Sequence, residues 1–156
     1  MPSLSFTPGP GGLDDACSWR RAAAELALCC AGSYAADEAA RLRELVALLR
    51  RCPPGLSPGL ALPEPVRVEA LLAADAAATA TLALFDGAGA GYLISRGGGG
   101  SHLASVILPG ATDEVSAGGD TVALALIGAL ALGLAEPGVP AAPGAQVPVP
   151  GRRHYN

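Results

Sequence analysis

Residues 91–108 read GYLISRGGGGSHLASVIL, two short apolar segments separated by four glycines. Tyrosine, leucine, isoleucine and valine favour extended backbone in such segments, whereas consecutive glycines favour a turn. The stretch therefore predicts a β-hairpin with strands at 92–96 and 102–108 and a turn at 97–100.

The second strand of this hairpin is apolar on both of its faces. Ala104, Val106 and Leu108 alternate with Leu103 and Ile107 along it. Because successive side chains of a strand point to opposite faces, this pattern predicts a sheet with helices on both sides.

The chain after the hairpin predicts a short third strand and a long apolar helix. Val115 begins the strand, Asp120 caps the helix at residues 121–136, and Pro137 ends it. A helix without a polar face is buried either in its own domain or against a partner. As a possible interface with a second copy or another protein we single out Leu124, Leu126, Ile127, Leu130 and Leu134.

The chain before the hairpin divides at a proline-rich joint, residues 53–65, which holds five prolines and two glycines. Beyond the joint, an alanine-rich segment predicts helix up to Ala78 and extended backbone at 79–85. Before it, residues 13–52 predict an αα-hairpin in which Gly32 ends the first helix and Ser33 begins the second.

Together these elements predict an α+β protein with an N-terminal αα-hairpin and a three-stranded antiparallel sheet flanked by helices. The domain at 66–136 is expected to form an α/β/α sandwich. Residues 1–12 and 137–156 are rich in proline and glycine, so we expect a flexible lead and a flexible tail.

Composition narrows the classes of function. The chain has 156 residues, a net charge of −4 and 51% hydrophobic residues, so it is expected to fold rather than stay disordered. Residues 52–136 contain two arginines against eight acids, a balance that repels phosphate and argues against nucleic-acid binding there. The terminal Arg152 and Arg153 leave a nucleic-acid contact through the tail as an alternative.

The four cysteines form no CxxC pair, so a redox motif or zinc knuckle is not supported. The N-terminus lacks secretory features and the apolar helix is too short to span a membrane, which predicts a cytoplasmic protein. In that reducing compartment we expect buried thiols, although Cys17 and Cys52 lie at the same end of the αα-hairpin and a disulfide between them stays possible.

One motif invites an anion-binding interpretation, because glycine-rich backbone amides can cradle a phosphate. Its residues are Arg96, Gly97, Gly98, Gly99, Gly100 and Ser101. A P-loop also needs a lysine and a following helix, whereas here a strand follows, so a hairpin turn is favoured.

His102 could be combined with Ser101, Ser105 or Asp120 as a catalytic triad, but nothing resembles a nucleophile elbow and a surface histidine is favoured. The spacing of the two histidines and the acids supports no metal centre. We therefore expect neither enzymatic activity nor a cofactor.

Residues 66–136 resemble the phage ABA-sandwich domain and related small phage and prophage proteins. The resemblance rests on VEALLAADAAATATL at 68–82, on the hairpin at 91–108, and on GDTVALALIGALALGLAE at 119–136. It implies α/β/α layering, with no established activity and no catalytic residues. Val122 stands where that family usually has proline.

A second resemblance is to HicB-type antitoxins, which place a similar GDT segment between a strand and a helix. The matching residues here are Gly119, Asp120, Thr121, Ala125 and Ala129. This resemblance implies a regulatory protein.

Three functions stay open from the sequence. The first is a non-enzymatic interaction module of bacterial or prophage origin that binds itself or a protein partner. The second is a small anion- or nucleotide-binding protein or enzyme that uses the turn at 97–100, and the third is a HicB-like regulator.

Overall fold

The computed structural model describes residues 11–56, 58–86 and 89–137. The predicted tail beyond Pro137, with its arginines, and most of the predicted lead lie outside these residues. Gly11 and Gly12, expected in the lead, already belong to the first helix.

The described chain is an α+β fold, as predicted. Its elements are the helices α1 (Gly11–Ala31), α2 (Glu38–Arg50), α3 (Pro65–Ala73), α4 (Ala77–Leu82) and α5 (Val122–Ala135), and the strands β1 (Gly91–Arg96), β2 (His102–Ile107) and β3 (Val115–Gly119).

The three strands form one antiparallel sheet in the order β1-β2-β3. The predicted hairpin is confirmed, with Arg96 opposite His102 at its closed end. In the turn, the Gly97 amide donates to the Ser101 carbonyl at 2.9 Å and the Gly100 amide to the Gly97 carbonyl at 3.1 Å. Gly100 has a φ of 86°, a conformation that side-chain-bearing residues rarely adopt.

Helix α5 lies at the centre of the molecule. The sheet covers one side of it, and α1, α2 and α4 cover the others. Gly128 permits close approach on both sides, because a methyl group at this position would lie 3.4 Å from the side chains of Cys30 in α1 and Ala117 in β3. The missing polar face of α5 is therefore explained by burial within its own chain.

Helices α1 and α2 form an antiparallel pair that shares one core with α5. Trp19 fixes the pair, since its indole N–H donates a buried hydrogen bond of 2.8 Å to the Leu48 carbonyl. The core is thus continuous from the αα-hairpin to the sheet, across the proline-rich joint.

The link between α1 and α2 differs from the prediction that Ser33 begins the second helix. Ser33 is instead the anchor of the α1 C-terminus: its hydroxyl donates to the Cys29 carbonyl at 2.7 Å and accepts from Arg41 Nε at 3.0 Å. A 3-10 turn (Ala35–Asp37) follows, and α2 begins only at Glu38.

The extended backbone predicted at 79–85 is wrong, because this segment is helical. It comprises the end of α4 and a 3-10 turn (Ala83–Phe85). The Thr81 hydroxyl donates to the Ala77 carbonyl at 2.8 Å, so a buried β-branched residue is satisfied inside a helix. Packing of α4 against α5 outweighs the modest strand preference of threonine.

The N-cap of α5 is Thr121 rather than the predicted Asp120. Its hydroxyl accepts from the Leu124 amide at 3.2 Å, while the Asp120 carbonyl faces the ring of His102. Capping by the threonine hydroxyl satisfies one of the free amides of the first turn, and the helix begins at Val122.

The sheet has one covered face and one open face. Ala104 and Val106 on the inner face are buried against α5, whereas Leu103 and Ile107 on the other face are exposed. Helices on both sides of the sheet were expected, but within the described ranges no helix covers this second face. The alternation of apolar residues along β2 shows that both of its faces are apolar. It does not show what covers each face.

Candidate functional site

The open face of the sheet presents three apolar side chains to solvent. Leu93 is 66% exposed, Leu103 46% and Ile107 39%. Strand alternation places these residues on one side together with Ser105 and Ser116. We call this surface, defined by these five residues, the outer face.

Two serines occupy the middle of the outer face. Ser105 in β2 lies opposite Ser116 in β3, and their hydroxyl oxygens are 2.6 Å apart. Because each hydroxyl is already engaged by the other, the centre of the surface is locally satisfied. Ser105 is only 7% exposed, and together with Leu93 and Ile107 it lines a cavity of about 230 Å³. The outer face is thus a recess bordered by apolar side chains, against which another protein surface can pack.

Strand β1 forms an edge of the sheet and borders the outer face. Its residues are exposed except Ile94, and it pairs with β2 in continuous register without a bulge. Charged side chains, prolines and bulges are the usual devices that keep an edge strand from pairing with another chain. Of these, β1 carries only Arg96 at its end.

The prediction of an interface on the last helix is wrong, because its residues are buried within the chain's own fold. All five of its residues are 0–1% exposed in the isolated chain, namely Leu124, Leu126, Ile127, Leu130 and Leu134. Helix α5 packs against the sheet and the other helices, so these buried side chains stabilise the fold and cannot present a docking surface.

The predicted anion loop at the β1–β2 turn is exposed. The amides of Gly97 and Gly100 are used by carbonyls of the turn itself, and β2 follows directly. Arg96 and Ser101, at the two ends of the turn, are also exposed. Anion binding at this turn stays a prediction.

The residues considered for a triad are only partly brought together: Ser101 and Asp120 line one cavity at the end of the sheet where His102 also lies, whereas Ser105 lies apart. His102 Nδ1 lies 3.3 Å from the Asp120 carbonyl oxygen, at the end of the sheet. Ser105 is directed to the outer face, where its partner is Ser116. An odd-numbered and an even-numbered residue of one strand point to opposite faces, which separates the two groups.

An acidic cleft of about 450 Å³ lies at the other end of the sheet. Asp113, Glu114 and Glu136 line it above the apolar residues Leu108 and Val115. Glu136, which the end of α5 brings to this cleft, was not predicted from the sequence. Among the residues that the structure describes, no three histidine, cysteine or acidic side chains are placed to hold a metal ion.

The four cysteines are free thiols, and their burial differs from the prediction. Cys17 and Cys29 are exposed, and only Cys30 is fully buried. Burial raises the pKa of the Cys30 thiol to about 12, although nearby Arg41 acts in the opposite direction. Burial also raises the pKa of Cys52, whose sulfur lies 3.2 Å from the Leu56 carbonyl oxygen. A raised pKa keeps both thiols protonated and weakly nucleophilic.

Comparison with known proteins gives no relative: no family model, curated protein or solved structure matches this chain. The resemblances to phage ABA-sandwich proteins and to HicB-type antitoxins therefore stay predictions. In the described part of the chain, no helix has both the length and the apolar character needed to cross a membrane.

Proposed function

We propose that this protein is a non-enzymatic interaction module that binds a protein partner through the outer face. The observation that carries the proposal is the exposure of Leu93, Leu103 and Ile107 on one side of a three-stranded sheet. Burial of these side chains against another protein would remove apolar surface from water, which is the main driving force of association.

The arrangement of the exposed apolar residues supports this proposal. Leu28 on α1 and Val66 on α3 are even more exposed, at 75% and 82%, but each stands on a separate helix. Single exposed apolar side chains are common on protein surfaces, whereas several on one face are typical of interaction sites.

The proposal includes a cytoplasmic location and, following the resemblance of residues 66–136, a prophage origin. The free thiols support a reducing compartment, because two of the four, Cys17 and Cys29, are exposed and unpaired.

The proposal is tested by removing apolar area from the outer face without disturbing the strands. Leu93→Thr and Leu103→Thr introduce a β-branched residue that suits a strand. Leu28→Gln is the control, since it removes a leucine that is more exposed than either of these and lies on α1 instead of the sheet. Light scattering of the purified full chain measures self-association, and capture from a lysate of its own host followed by mass spectrometry identifies other partners.

We expect self-association, or one stoichiometric partner, that is lost in the two threonine variants and retained in Leu28→Gln. Equal behaviour of all four proteins would contradict the proposal, as would a wild-type chain that stays monomeric and captures no partner. Circular dichroism of each variant establishes that the fold is intact.

A further inference from the structure

We infer that the partner is a second copy of this chain, paired antiparallel along β1 to form a continuous six-stranded sheet around a two-fold axis at Ile94. This inference rests on the proposed function, because it joins the two outer faces into one surface. It assigns the partner and the register of the contact.

The main-chain N–H and C=O groups of β1 alternate in direction along the strand. The Gly97 amide bonds to Ser101, so this is a hydrogen-bonded pair of the hairpin. Such pairs alternate along an antiparallel ladder, and the odd-numbered residues of β1 therefore face β2. Tyr92, Ile94 and Arg96 direct their N–H and C=O groups the other way, toward the free edge.

The main-chain groups that point to the free edge of β1 have no partner in the described chain. No backbone bond joins Tyr92, Ile94 or Arg96 to any described residue beyond the sheet, and most of the strand is exposed. Their pairing with water is replaceable by pairing with another strand, as in β-strand addition.

The sequence of β1 allows the strand to pair antiparallel with a second copy of itself. A two-fold axis at Ile94 pairs this residue with its own copy, and Tyr92 lies as far before Ile94 as Arg96 lies after it. Each Tyr92 is then directly opposite the partner's Arg96, an aromatic ring beside a guanidinium group. The Tyr92 ring is held in place by Phe85, at a centroid distance of 5.0 Å.

The same register also brings the outer faces together. Leu93, the most exposed side chain of the outer face, becomes the direct neighbour of Ser95 of the second copy. The two copies of Leu93 are diagonal neighbours across the axis, at a separation that long side chains can bridge. Pairing thus covers Leu93. Leu103 lies on the other side of Ser95 from the partner's Leu93, so both leucines pack over this serine, while Ile107 stays uncovered.

The chain's own C-terminal segment is a poorer occupant of this edge. Residues 138–156 contain prolines at positions 140, 143, 148 and 150. Proline has no N–H to donate to a neighbouring strand, so this segment cannot supply a regular ladder. A second β1 has no proline and the same number of residues.

Cysteine cross-linking tests the register in the full chain. Leu93→Cys and Ser95→Cys are each made in a background with the exposed Cys17 and Cys29 replaced by serine. Cysteine is a small apolar side chain, so Leu93→Cys, unlike Leu93→Thr, keeps the outer face apolar. In the inferred pairing, residues 93 and 95 of opposite copies are about 4.5 Å apart between Cα atoms, within disulfide range. The Cα atoms of the two copies of residue 93, and likewise those of residue 95, are about 8 Å apart, which is beyond disulfide range.

We expect a dimer by light scattering, and a covalent dimer after mild oxidation only when the two variants are mixed. The background protein and each variant alone are the controls. A wild-type monomer, or cross-linking that is absent from the mixture or equal in a single variant, would overturn the pairing.

The two proposals fail in different ways. Loss of association in Leu103→Thr without mixture-specific cross-linking would refute the β1 pairing and leave the outer face as a binding surface. Mixture-specific cross-linking of a dimer that is indifferent to Leu103→Thr and Leu93→Thr would support the β1 pairing and refute the role of the outer face.

Discussion

Gly119 lies at the end of β3, directly against the backbone of α5. A methyl group built on this residue would lie 2.5 Å from the Ala125 amide nitrogen and 2.9 Å from the Leu124 carbonyl carbon. Both atoms belong to the first turns of a buried helix, so neither can move without displacing the helix. The absence of a side chain at this position is what allows strand and helix to meet so closely.

Gly119→Ala is therefore expected to lower the free energy of unfolding by about 1–3 kcal/mol, the usual cost of overpacking. Gly98→Ala is the matched control, because its new methyl group would have no heavy atom within 4 Å. Urea unfolding of both variants measures the difference. Equal stability of the two would show that α5 yields at this contact.

Cys30 is the buried thiol at the contact between α1 and α5. Its pKa rises from 9.0 to about 12, chiefly because burial disfavours the thiolate. Below pH 9 the thiol is protonated in both the folded and the unfolded chain. Above that pH the unfolded chain loses the proton first, so stability falls as pH rises toward the folded pKa.

We expect this single group to lower the free energy of unfolding by up to about 1.4 kcal/mol per pH unit between these two pKa values. Cys30→Ala removes the group, and the expected result is a shallower decline in stability above pH 9 than in the wild type. Unfolding curves at several alkaline pH values measure both slopes. Identical slopes would mean that Cys30 ionises equally easily in the folded chain.

At the scale of elements, α5 is the part of the chain on which the others depend. It contacts the sheet, α1, α2 and α4, and its central residues are inaccessible to solvent. Other links between elements are weaker: the ion pair from Arg43 in α2 to Glu69 in α3 is bidentate, at 2.7–2.8 Å, but both side chains are about half exposed. Exposed pairs of this kind contribute little to stability.

Leu130→Ala, in the middle of α5, is expected to lower the free energy of unfolding by about 2–5 kcal/mol, because it leaves a cavity in the core. Leu28→Ala makes the same chemical change at an exposed position of α1 and is expected to change it by less than about 0.5 kcal/mol. Thermal or urea unfolding compares them. Similar effects at the two positions would contradict the central placement of α5.

At the scale of the whole molecule, the αα-hairpin and the sheet share one core. Trp19 is the only tryptophan of the chain, so its fluorescence reports on the hairpin alone. Far-UV circular dichroism reports on all of the helices. The extensive contact between α1 and α5 couples the two regions.

We expect both probes to follow a single urea transition with the same midpoint. We also expect residues 53–156, expressed without the hairpin, to lose cooperative unfolding because one side of α5 becomes exposed. Two separate transitions, or a stably folded fragment, would show that the proline-rich joint separates independent domains.

Local sequence patterns are sufficient to predict several of these elements. The four glycines at 97–100 between two β-favouring segments determine the hairpin, since turn and strands are local conformational preferences. The uniformly apolar residues of α5 likewise determine that this helix is buried. They do not determine against what, so the interface assigned to Leu124 and its neighbours was the wrong alternative.

The α+β class, the β-hairpin and the burial of the last helix follow from local sequence patterns, because backbone preference and hydrophobic periodicity act over a few residues. Only the tertiary structure decided that 79–85 is helical, that Thr121 caps α5 and that the outer face is open. These outcomes depend on which distant surfaces meet. Contacts between residues far apart in the chain outweigh local preferences. The sequence of an apolar strand face does not specify whether another part of the same chain covers it.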